Sequence, residues 1–388
     1  MSSQSFSPGP QTPPPAGRRP RVAVVFGGRS SEHGISVVTA GAVLRAIDRG
    51  AYDVLPIGIT ADGRWALTAD DPERMAIADR ALPSVEQLAE SDTGSVLLPF
   101  EPHNREVVYS EPGSVPKVLG EVDVVFPMLH GPYGEDGTLQ GLLDLAGVPY
   151  VGSGVLASAV GMDKEYMKRV FTSFGLPVGP YTVVRPREWE QDEKAARKRI
   201  VDFAADHGWP VFVKPARAGS SFGITKVDDL AGLDEAIAEA RRHDPKIIVE
   251  SLLRGREIEC GVLEFEDGPR ASLPAEIPPA TAHDFYDFEA KYIDSAEGLV
   301  PAPLTGEQTR EVQELAVRAF DAASCEGLVR ADFFLLDSGE FVINEINTMP
   351  GFTPISMYPR MWEASGVGYP ELVDRLIRAA LRRPTGLR

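Results

Sequence analysis

The segment LVRADFFLLDSGEFVINEINT carries polar side chains on two apolar runs that a short turn joins. With residues 338–339 as a two-residue hairpin turn, Asp332 faces Glu345 and Arg330 faces Asn347. Because strand side chains alternate between two faces, these four share one face of the hairpin. Carboxylate and amide oxygens suit Mg²⁺, so Asp332, Glu345 and Asn347 are candidate metal ligands. The alternative is a structural ion pair between Arg330 and one of the carboxylates.

The same register makes a prediction about the apolar residues nearer the turn. It places Phe334, Leu336, Phe341 and Ile343 on the polar face, as an apolar wall beside the candidate ligands. A shift of one residue would move a strand's side chains to the opposite face. The candidate metal site therefore depends on the register of this hairpin.

Two further segments have residue types suited to phosphate or to a small polar substrate. In KPARAGSSFG, Lys214 precedes Gly219, Ser220 and Ser221, whose small side chains let backbone N–H groups approach phosphate oxygens. A plain flexible turn is the alternative, since the segment is not a Walker A pattern. In HGPYGEDGTLQG, His130 follows an apolar strand within a glycine-rich loop, where both a functional and a structural role are open.

The elements that position these residues begin as an α/β unit. RVAVVFGG is a short apolar run that ends in Gly-Gly, which is typical of a buried parallel strand. A helical pattern follows from Ser36, and DVLPIGIT and EVDVVFPMLHG are further strands. Ligands of such sheets bind at the carboxyl ends of the strands, where Gly27, Gly28 and His130 lie.

Beyond about Ser153 the pattern becomes α+β, with two strands around the glycine-serine loop and a strand-rich region from about Arg254. The long irregular stretch IPPATAHDFYDFEAKYIDSAEG indicates a functional or disordered loop. The predicted divisions are a disordered Pro- and Ser-rich tail at 1–20, units at 21–152, 153–253 and 254–388, and a mobile lid at about 278–298.

Composition argues against some classes of function. The chain has 39 basic and 57 acidic residues, and its net charge of −18 argues against general binding to nucleic acid or to an anionic membrane. No stretch approaches the roughly 20 apolar residues of a membrane span. Residues 1–20 lack the apolar core of an export signal. Cys260 and Cys325 stand in apolar contexts and are expected to be core thiols. We expect a cytoplasmic enzyme.

Six segments, in order, resemble the D-alanine–D-alanine ligase family of the ATP-grasp superfamily: GGRSSEHGIS, HGPYGEDGTLQG, GMDKEYMK, FVKPARAGSSFG, DFEAKY and RADFF…INEINTMPG. The resemblance runs from about Arg21 to Arg382. It implies an α/β, Rossmann-like substrate-binding domain followed by two α+β ATP-grasp subdomains that hold ATP between them. It also implies the activity, an ATP-dependent condensation of two D-alanines through D-alanyl phosphate, for the synthesis of peptidoglycan precursors.

The resemblance implies roles for individual residues around ATP. Asp332, Glu345 and Asn347 match ligands of two Mg²⁺ or Mn²⁺ ions, with Glu345 between the ions. The residues that match ATP contacts are Lys164, Lys214, Ser220, Ser221, Glu250, Leu253, Glu257, Lys291 and Asn347.

A second set of matched residues concerns the amino acid substrates. The residues that match catalytic positions are Glu32, His130, Ser220, Tyr292, Arg330 and Gly351. The residues that match substrate contacts are Glu32, His130, Arg330, Gly351, Ser356 and Met357.

The resemblance leaves the second substrate open. Tyr292, in the expected lid, favours D-alanine, and a D-alanine–D-lactate or D-alanine–D-serine ligase of the same fold is the alternative. Another ATP-grasp carboxylate–amine ligase and an inactive nucleotide-binding protein are the remaining alternatives. The resemblance also implies a homodimer that forms through the N-terminal domain.

Overall fold

The computed structural model describes residues 18–78, 81–98, 104–219, 222–278 and 298–384. Most of the expected tail and nearly all of the expected lid lie outside these ranges. Both therefore stay predictions, as does the division of the chain into units.

The N-terminal part is built around a sheet that is parallel at its centre. Its described strands are β1 (Arg21–Gly27), β2 (Asp53–Ile59), β3 (Trp65–Leu67), β4 (Ser95–Leu97), β5 (Glu106–Ser110), β6 (Lys117–Glu121) and β7 (Val124–Met128). The sheet has the order β3-β2-β1-β7, with β1 parallel to β2 and β7. Val22, Val24 and Phe26 of β1 enter one hydrophobic core, and Ala23 and Val25 enter another. Both faces of β1 are thus buried, as its continuous apolar run predicts.

Three α-helices, a short 3₁₀ helix (Pro72–Met75) and a small second sheet complete the described portion of this part. The helices are α1 (His33–Ala46), α2 (Val85–Leu88) and α3 (Thr138–Ala146). Strands β4, β5 and β6 form an antiparallel sheet of their own, which no pattern in the sequence predicted. Helix α1 begins close to the predicted start at Ser36, directly after the turn that carries Glu32.

The central part combines helices with an antiparallel sheet. Its helices are α4 (Val155–Met162), α5 (Lys164–Ser173), α6 (Pro186–Gln191), α7 (Glu193–His207) and α8 (Leu233–His243). Its strands are β8 (Tyr181–Val184), β9 (Val211–Pro215), β10 (Thr225–Val227) and β11 (Ile247–Ser251), in the order β10-β9-β11-β8. The side chain of Asp163 accepts hydrogen bonds from the N–H groups of Glu165 and Tyr166 and so caps α5. This cap fixes Lys164 in the first turn of the helix.

The C-terminal part is strand-rich, as predicted, and ends in helices. Its strands are β12 (Gly255–Phe265), β13 (Gly268–Ala271), β14 (Ala275–Ile277), β15 (Leu328–Leu336) and β16 (Phe341–Asn347). They form an antiparallel sheet in the order β13-β12-β15-β16, with β14 also paired to β12. The helices are α9 (Gly306–Ala322), α10 (Met357–Ala364) and α11 (Tyr369–Arg382).

The hairpin of β15 and β16 corrects the predicted turn. Its loop contains three residues, 337–339, because the N–H of Leu336 donates to the carbonyl of Glu340 at 2.9 Å. Gly339 has a φ of +92°, the left-handed conformation that such three-residue loops place at glycine. The prediction of a two-residue turn is therefore wrong.

A β-bulge nevertheless restores the predicted register at the polar end. Phe333 pairs with Ile343, whereas Asp332 pairs with Glu345, so Asn344 has no opposite partner. The extra residue on β16 offsets the extra residue in the loop. The predicted pairs of Asp332 with Glu345 and of Arg330 with Asn347 are confirmed.

The bulge also changes the predicted apolar wall. Phe341 and Ile343 are buried in a core cluster with Phe333 and Leu335. They lie away from the polar face because the bulge turns β16 over between residues 343 and 345. The predicted wall is therefore wrong for β16, whereas Phe334 of β15 does line a pocket beside the polar residues.

One hydrophobic core joins the N-terminal sheet to the C-terminal helices. It contains Phe26 and Phe126 of the N-terminal sheet together with Phe352 and residues of α10 and α11. The rings of Phe126 and Phe352 meet edge to face with centroids 6.1 Å apart. The hydroxyl of Tyr52 donates to Asp374 of α11 at 2.7 Å. None of the described helices combines the length and the apolar composition needed to cross a membrane.

Candidate active site

A cleft of about 170 Å³ lies where the β15–β16 hairpin faces α5 and β9. Its described lining contains both basic and acidic side chains. The cations are Lys164, Lys214 and Arg330, and the acids are Glu135, Glu257, Glu259, Asp332 and Glu345. Among these described residues acids outnumber cations, so an anionic ligand would need additional positive charge to bind here.

The polar end of the hairpin forms one wall of the cleft. Two nitrogens of Arg330 lie 2.7 Å from the two carboxylate oxygens of Asp332. The amide nitrogen of Asn347 donates to Asp332 at 3.0 Å, which leaves the amide oxygen of Asn347 available to another partner. Asp332 is 3% exposed. The Arg330–Asp332 ion pair, which the sequence offered as an alternative to a metal site, is therefore present in the structure.

Arg330 also reaches the neighbouring strand. Its Nε lies 3.3 Å from Glu259 of β12, which pairs with Asp332 in the sheet. Burial would lower the pKa of Arg330, but the charges of Asp332 and Glu259 raise it well above its usual value. The guanidinium is thus a fixed positive charge held by two carboxylates.

Lys164 bridges the cleft from α5 to the hairpin. Its ammonium lies 2.9 Å from Glu345 and 3.2 Å from the carbonyl of Ala218. Burial would raise the pKa of Glu345, but the charge of Lys164 and its hydrogen bond lower it to about 2. Burial would conversely lower the pKa of Lys164, and Glu345 raises it instead. Both side chains are therefore charged at neutral pH.

The hairpin end fits a hard divalent cation. Among the described residues, no group of three His, Cys, Asp or Glu side chains is arranged to hold a metal. The candidate set differs from such a group because it has two carboxylates and one amide oxygen. Mg²⁺ typically takes one or two protein carboxylates and completes its shell with water and substrate phosphate. Asp332, Glu345 and Asn347 are therefore the residues here that could hold such an ion.

A second pocket of about 150 Å³ adjoins the cleft and shares Lys214 and Asn344 with it. Its described lining is mainly apolar, and it includes Leu253 and Phe334. Glu250 of β11 lies within it, with its carboxylate 2.5 Å from the ammonium of Lys214. The structure thus places Glu250 and Leu253 together in one pocket and Glu257 in the neighbouring cleft.

His130 contacts the segment that follows the hairpin. It is buried, and its Nδ1 lies 3.2 Å from the carbonyl oxygen of Met349. Burial lowers the pKa of His130, and the charge of Glu32 opposes this only in part. The imidazole is therefore neutral at neutral pH.

Glu135, in the same glycine-rich loop, accepts the backbone N–H of the same residue, Met349. Its carboxylate accepts the N–H of Gly131 at 2.5 Å and the N–H of Met349 at 3.3 Å. Burial and the charge of Glu32 raise the pKa of Glu135 to about 8. The loop thus fixes Met349 through two side chains, His130 and Glu135.

Two glycines from different parts of the chain approach Glu32. A Cβ built on Gly131, whose φ is +75°, would lie 2.7 Å from Oε2 of Glu32. A Cβ on Gly219 would lie 3.3 Å from the same oxygen. Glu32 is 5% exposed. Its carboxylate therefore sits in a narrow cradle that side chains at these positions would fill.

The remaining substrate candidates lie after the hairpin. Gly351 follows Met349 by two residues, and Ser356 and Met357 form the N-cap and first residue of α10. Ser356 Oγ accepts the N–H of Thr353 at 3.1 Å. The N–H groups of a helix N-terminus suit a carboxylate. None of Gly351, Ser356 and Met357 lines the cleft as the described residues form it.

Four candidates lie outside the described residues, namely Ser220, Ser221, Lys291 and Tyr292. Their predicted roles stay predictions. The described flanks, Gly219 and Phe222, both line the cleft.

The structure also brings into the site residues for which the sequence predicted no role. Lys168 follows Lys164 by four residues, so a helical wheel would have placed both on one face. Glu259 follows Glu257 by two residues on a strand, which predicts a shared face. Glu135 was visible as an acid in the glycine-rich loop, but no pattern in the sequence indicated its contact with Met349.

Both halves of the chain match family models. Residues 21–153 match the model described as "D-ala D-ala ligase N-terminus" and residues 170–378 match "D-ala D-ala ligase C-terminus". A protein of Streptomyces avermitilis that is named D-alanine–D-alanine ligase is 81% identical over 388 residues, which is 100% of both chains.

Solved structures show the same likeness. The D-alanine-D-alanine ligase from Coxiella burnetii is 36% identical with a TM-score of 0.76, covering 94% of each chain. The VanG D-Ala:D-Ser ligase from Enterococcus faecalis is 35% identical with a TM-score of 0.80, covering 94% of this chain and 100% of that one. These matches confirm the predicted fold class, an ATP-grasp fold with a Rossmann-like N-terminal domain. The chain belongs to the D-alanine–D-alanine ligase family.

Proposed function

We propose that the protein joins two D-alanine molecules with the consumption of ATP, giving D-alanyl-D-alanine, ADP and phosphate for peptidoglycan synthesis. The observation that carries this proposal is the hairpin end. There Arg330, Asp332, Glu345 and Asn347 share one face, opposite the ammonium of Lys164. The full-length relative with 81% identity bears the name of this activity.

Two Mg²⁺ or Mn²⁺ ions, held by Asp332, Glu345 and Asn347, would supply the positive charge that the acidic cleft lacks for a triphosphate. The fit rests on two adjacent carboxylates and an amide oxygen at paired strand positions. Glu345, with a pKa of about 2, is ionised over the whole physiological range and available as a ligand.

ATP would lie across the cleft and the adjoining pocket. Lys164 and Lys214 line the cleft and are the described cations for the phosphates, with Lys291, Ser220 and Ser221 as further candidates. Its base would lie in the largely apolar pocket beside Glu250 and Leu253. The ribose would lie near Glu257, which lines the cleft.

The first D-alanine would sit beside Glu32 and His130. Glu32 would bind its ammonium, and its carboxylate oxygen would attack the γ-phosphate and displace ADP. Because neutral His130 adds no charge, the ammonium has the Glu32 carboxylate as its counter-ion. The result is D-alanyl phosphate, a mixed anhydride that water would hydrolyse. The expected lid at about 278–298, which carries Tyr292, would exclude that water.

The second D-alanine would bind through its carboxylate at Ser356 and Met357, the N-terminus of α10. Its amine, after loss of a proton, would attack the acyl carbon, and phosphate would leave with the bonding electron pair. Arg330 and the N–H of Gly351 would stabilise the oxyanion of the tetrahedral intermediate. One such donor typically contributes about 10²–10³ in kcat. Ser220 and Tyr292 would complete the site near Glu32.

The first experiment measures phosphate release by the purified protein with ATP, Mg²⁺ and D-alanine, with the products identified by mass. Release that depends on D-alanine and yields the dipeptide is the expected result. A mixture of D-alanine with D-lactate or D-serine tests the second candidate, which the likeness to a D-Ala:D-Ser ligase brings forward. A depsipeptide or a D-alanyl-D-serine product in excess would replace the present proposal.

Two further parts of the proposal have separate tests. We propose that the reaction takes place in the cytoplasm, where ATP is supplied, and cell fractionation tests this. We also propose a homodimer through the N-terminal domain, and light scattering of the purified protein should give twice the monomer mass of 42.0 kDa.

A further inference from the structure

Lys168 is a buried lysine to which the proposed mechanism gives no role. It lies on α5, one turn beyond Lys164, and is 3% exposed. Its ammonium lies 2.9 Å from Oε1 of Glu250 and donates to the carbonyl oxygen of Asn344 at 3.1 Å. Asn344 is the residue that the β-bulge leaves without a partner in β15. The bulge thus presents a carbonyl that helps to hold the Lys168 ammonium in place.

Glu250 lies between two ammonium groups. Lys168 contacts Oε1 of Glu250, and Lys214 contacts Oε2 at 2.5 Å. Burial would raise the pKa of Glu250, but the charges of Lys168 and Lys214 together lower it. The carboxylate therefore stays ionised although it is 8% exposed.

The ammonium of Lys214 has two different partners, one in the structure and one in the proposed function. In the structure its ammonium contacts Glu250, yet in the proposed function it contacts the phosphates of ATP, which would lie in the neighbouring cleft. An ammonium that moves from a buried carboxylate to a phosphate leaves that carboxylate without compensation. A buried, uncompensated charge is strongly unfavourable. The move therefore requires another cation that stays with Glu250.

We propose that Lys168 is a positioning residue that stays with Glu250 as its permanent counter-ion and so releases Lys214 to the nucleotide phosphates. The inference rests on the proposed use of ATP. Lys168 suits this task because its contact with Asn344 ties it to the hairpin, whereas Lys214 stands at the border of both pockets. Lys168 acts through Lys214 and makes no contact with phosphate itself.

The test is the variant Lys168→Met, which removes the ammonium and keeps a long apolar side chain. We expect Mg²⁺-ATP and Mg²⁺-tripolyphosphate to bind at least tenfold more weakly by calorimetry, about 1.4 kcal/mol. The value of kcat at saturating ATP should stay within threefold. Lys168→Arg keeps the charge and should bind both ligands within threefold of the wild type. Unchanged binding in Lys168→Met would overturn the proposal.

A double variant separates this role from a merely structural one. In Lys168→Met/Glu250→Gln no carboxylate restrains Lys214, so tripolyphosphate binding should recover towards that of Glu250→Gln alone. Tripolyphosphate is the probe because it has no base. Its affinity is therefore unaffected by the loss of contacts between residue 250 and adenine. If Lys168→Met does not fold, this comparison decides alone. A double variant that binds tenfold more weakly than Glu250→Gln overturns the proposal.

Measurements on the wild type distinguish a failure of the proposed function from a failure of the role proposed for Lys168. If it neither binds Mg²⁺-ATP nor releases phosphate with D-alanine, the proposed function fails before Lys168 is tested. If it does both and Lys168→Met behaves like the wild type, only the role of Lys168 fails. An exposed lysine, Lys198→Met on α7, serves as the control for loss of positive charge.

Discussion

Glu135 and Met349 are joined across 214 residues of chain, because Oε1 of the carboxyl accepts the backbone N–H of Met349 at 3.3 Å. The carbonyl of Met349 meets His130 at 3.2 Å. The two contacts hold the peptide units on either side of Met349, just before Pro350. Proline restricts the φ of residue 350, so the backbone that leads to Gly351 starts from a fixed position.

The first prediction concerns the pH dependence of Glu135. Its pKa is about 8 in the folded protein, against the ordinary value of 4.5, owing to burial and to the charge of Glu32. As pH rises, the unfolded chain therefore loses this proton before the folded protein does. The contribution of protonated Glu135 to stability is complete below about pH 4.5 and is lost as pH rises through 8. Glu135→Gln imitates the protonated form at every pH. Its free energy of unfolding, relative to that of the wild type, should therefore increase by roughly 2–4 kcal/mol as pH rises from 5 to 8.5.

Thermal and urea unfolding of both proteins over this pH range measure the effect. Glu363→Gln, at an exposed position on α10, is the control and should follow the wild type at every pH. A constant difference between Glu135→Gln and the wild type would contradict the prediction.

The second prediction concerns Arg330→Lys. Lysine keeps a positive charge beside Asp332 and Glu259 but loses the two-nitrogen contact with Asp332. We expect kcat to fall by about 10²–10³, because the oxyanion donor is displaced, with the Kd for Mg²⁺-ATP within fivefold. Steady-state kinetics and calorimetry measure the two values. Arg256→Lys, which alters a comparable pair with Glu276, is the matched control and should keep kcat. Equal losses in kcat and ATP affinity would refute the oxyanion role.

The third prediction concerns Glu345→Gln. The change removes a candidate metal ligand and the partner of Lys164, and it should lower metal-dependent phosphate release by at least about 10³-fold. Titration with Mn²⁺ in the presence of an ATP analogue should show loss of at least one bound ion. Circular dichroism should report an intact fold. Glu340→Gln, at the exposed end of the same hairpin, should keep full activity. Normal turnover by Glu345→Gln would rule out its role as a ligand.

The fourth prediction concerns the cradle of Glu32. In Gly131→Ala the new Cβ would lie 2.7 Å from Glu32, so the carboxylate must move, and the KM for the first D-alanine should rise by about tenfold or more. Gly113→Ala is the matched control, because Gly113 has a similar φ of +81° and open space around it. Both variants should lose roughly 1 kcal/mol of stability through backbone strain. Equal KM values in the two variants would remove Glu32 from the substrate site.

The sequence predicted those parts of the fold whose signals are local. The alternation of β15 and β16 gave the right partners for Asp332 and Arg330. It did so although the turn was wrong by one residue, since the bulge at Asn344 offset the error. A bulge has no reliable sequence signature when the residue involved is polar and the strand continues on both sides. Because the bulge was not predicted, the side chains of Phe341 and Ile343 were predicted on the wrong face of the hairpin.

Residues whose roles depend on distant contacts were harder to predict. Lys168 meets Glu250 and Asn344, which follow it by 82 and 176 residues in the sequence. A lysine on an amphipathic helix usually faces solvent, and only the tertiary structure buries this one. The candidate site residues other than the hairpin residues were predicted mainly from the resemblance to a family. For those within the described ranges, the structure adds how the side chains are paired, oriented and buried.

The shared core of Phe26, Phe126 and Phe352 has a consequence for biosynthesis. Domains usually fold one after another as they leave the ribosome. Here the first sheet shares a core cluster with α11, which ends at Arg382 of a 388-residue chain. The residues of α11 must therefore leave the ribosome before the first sheet can complete its packing. Nascent chains that stall before α11 would expose this apolar surface, so we expect them to be substrates of chaperones and proteases.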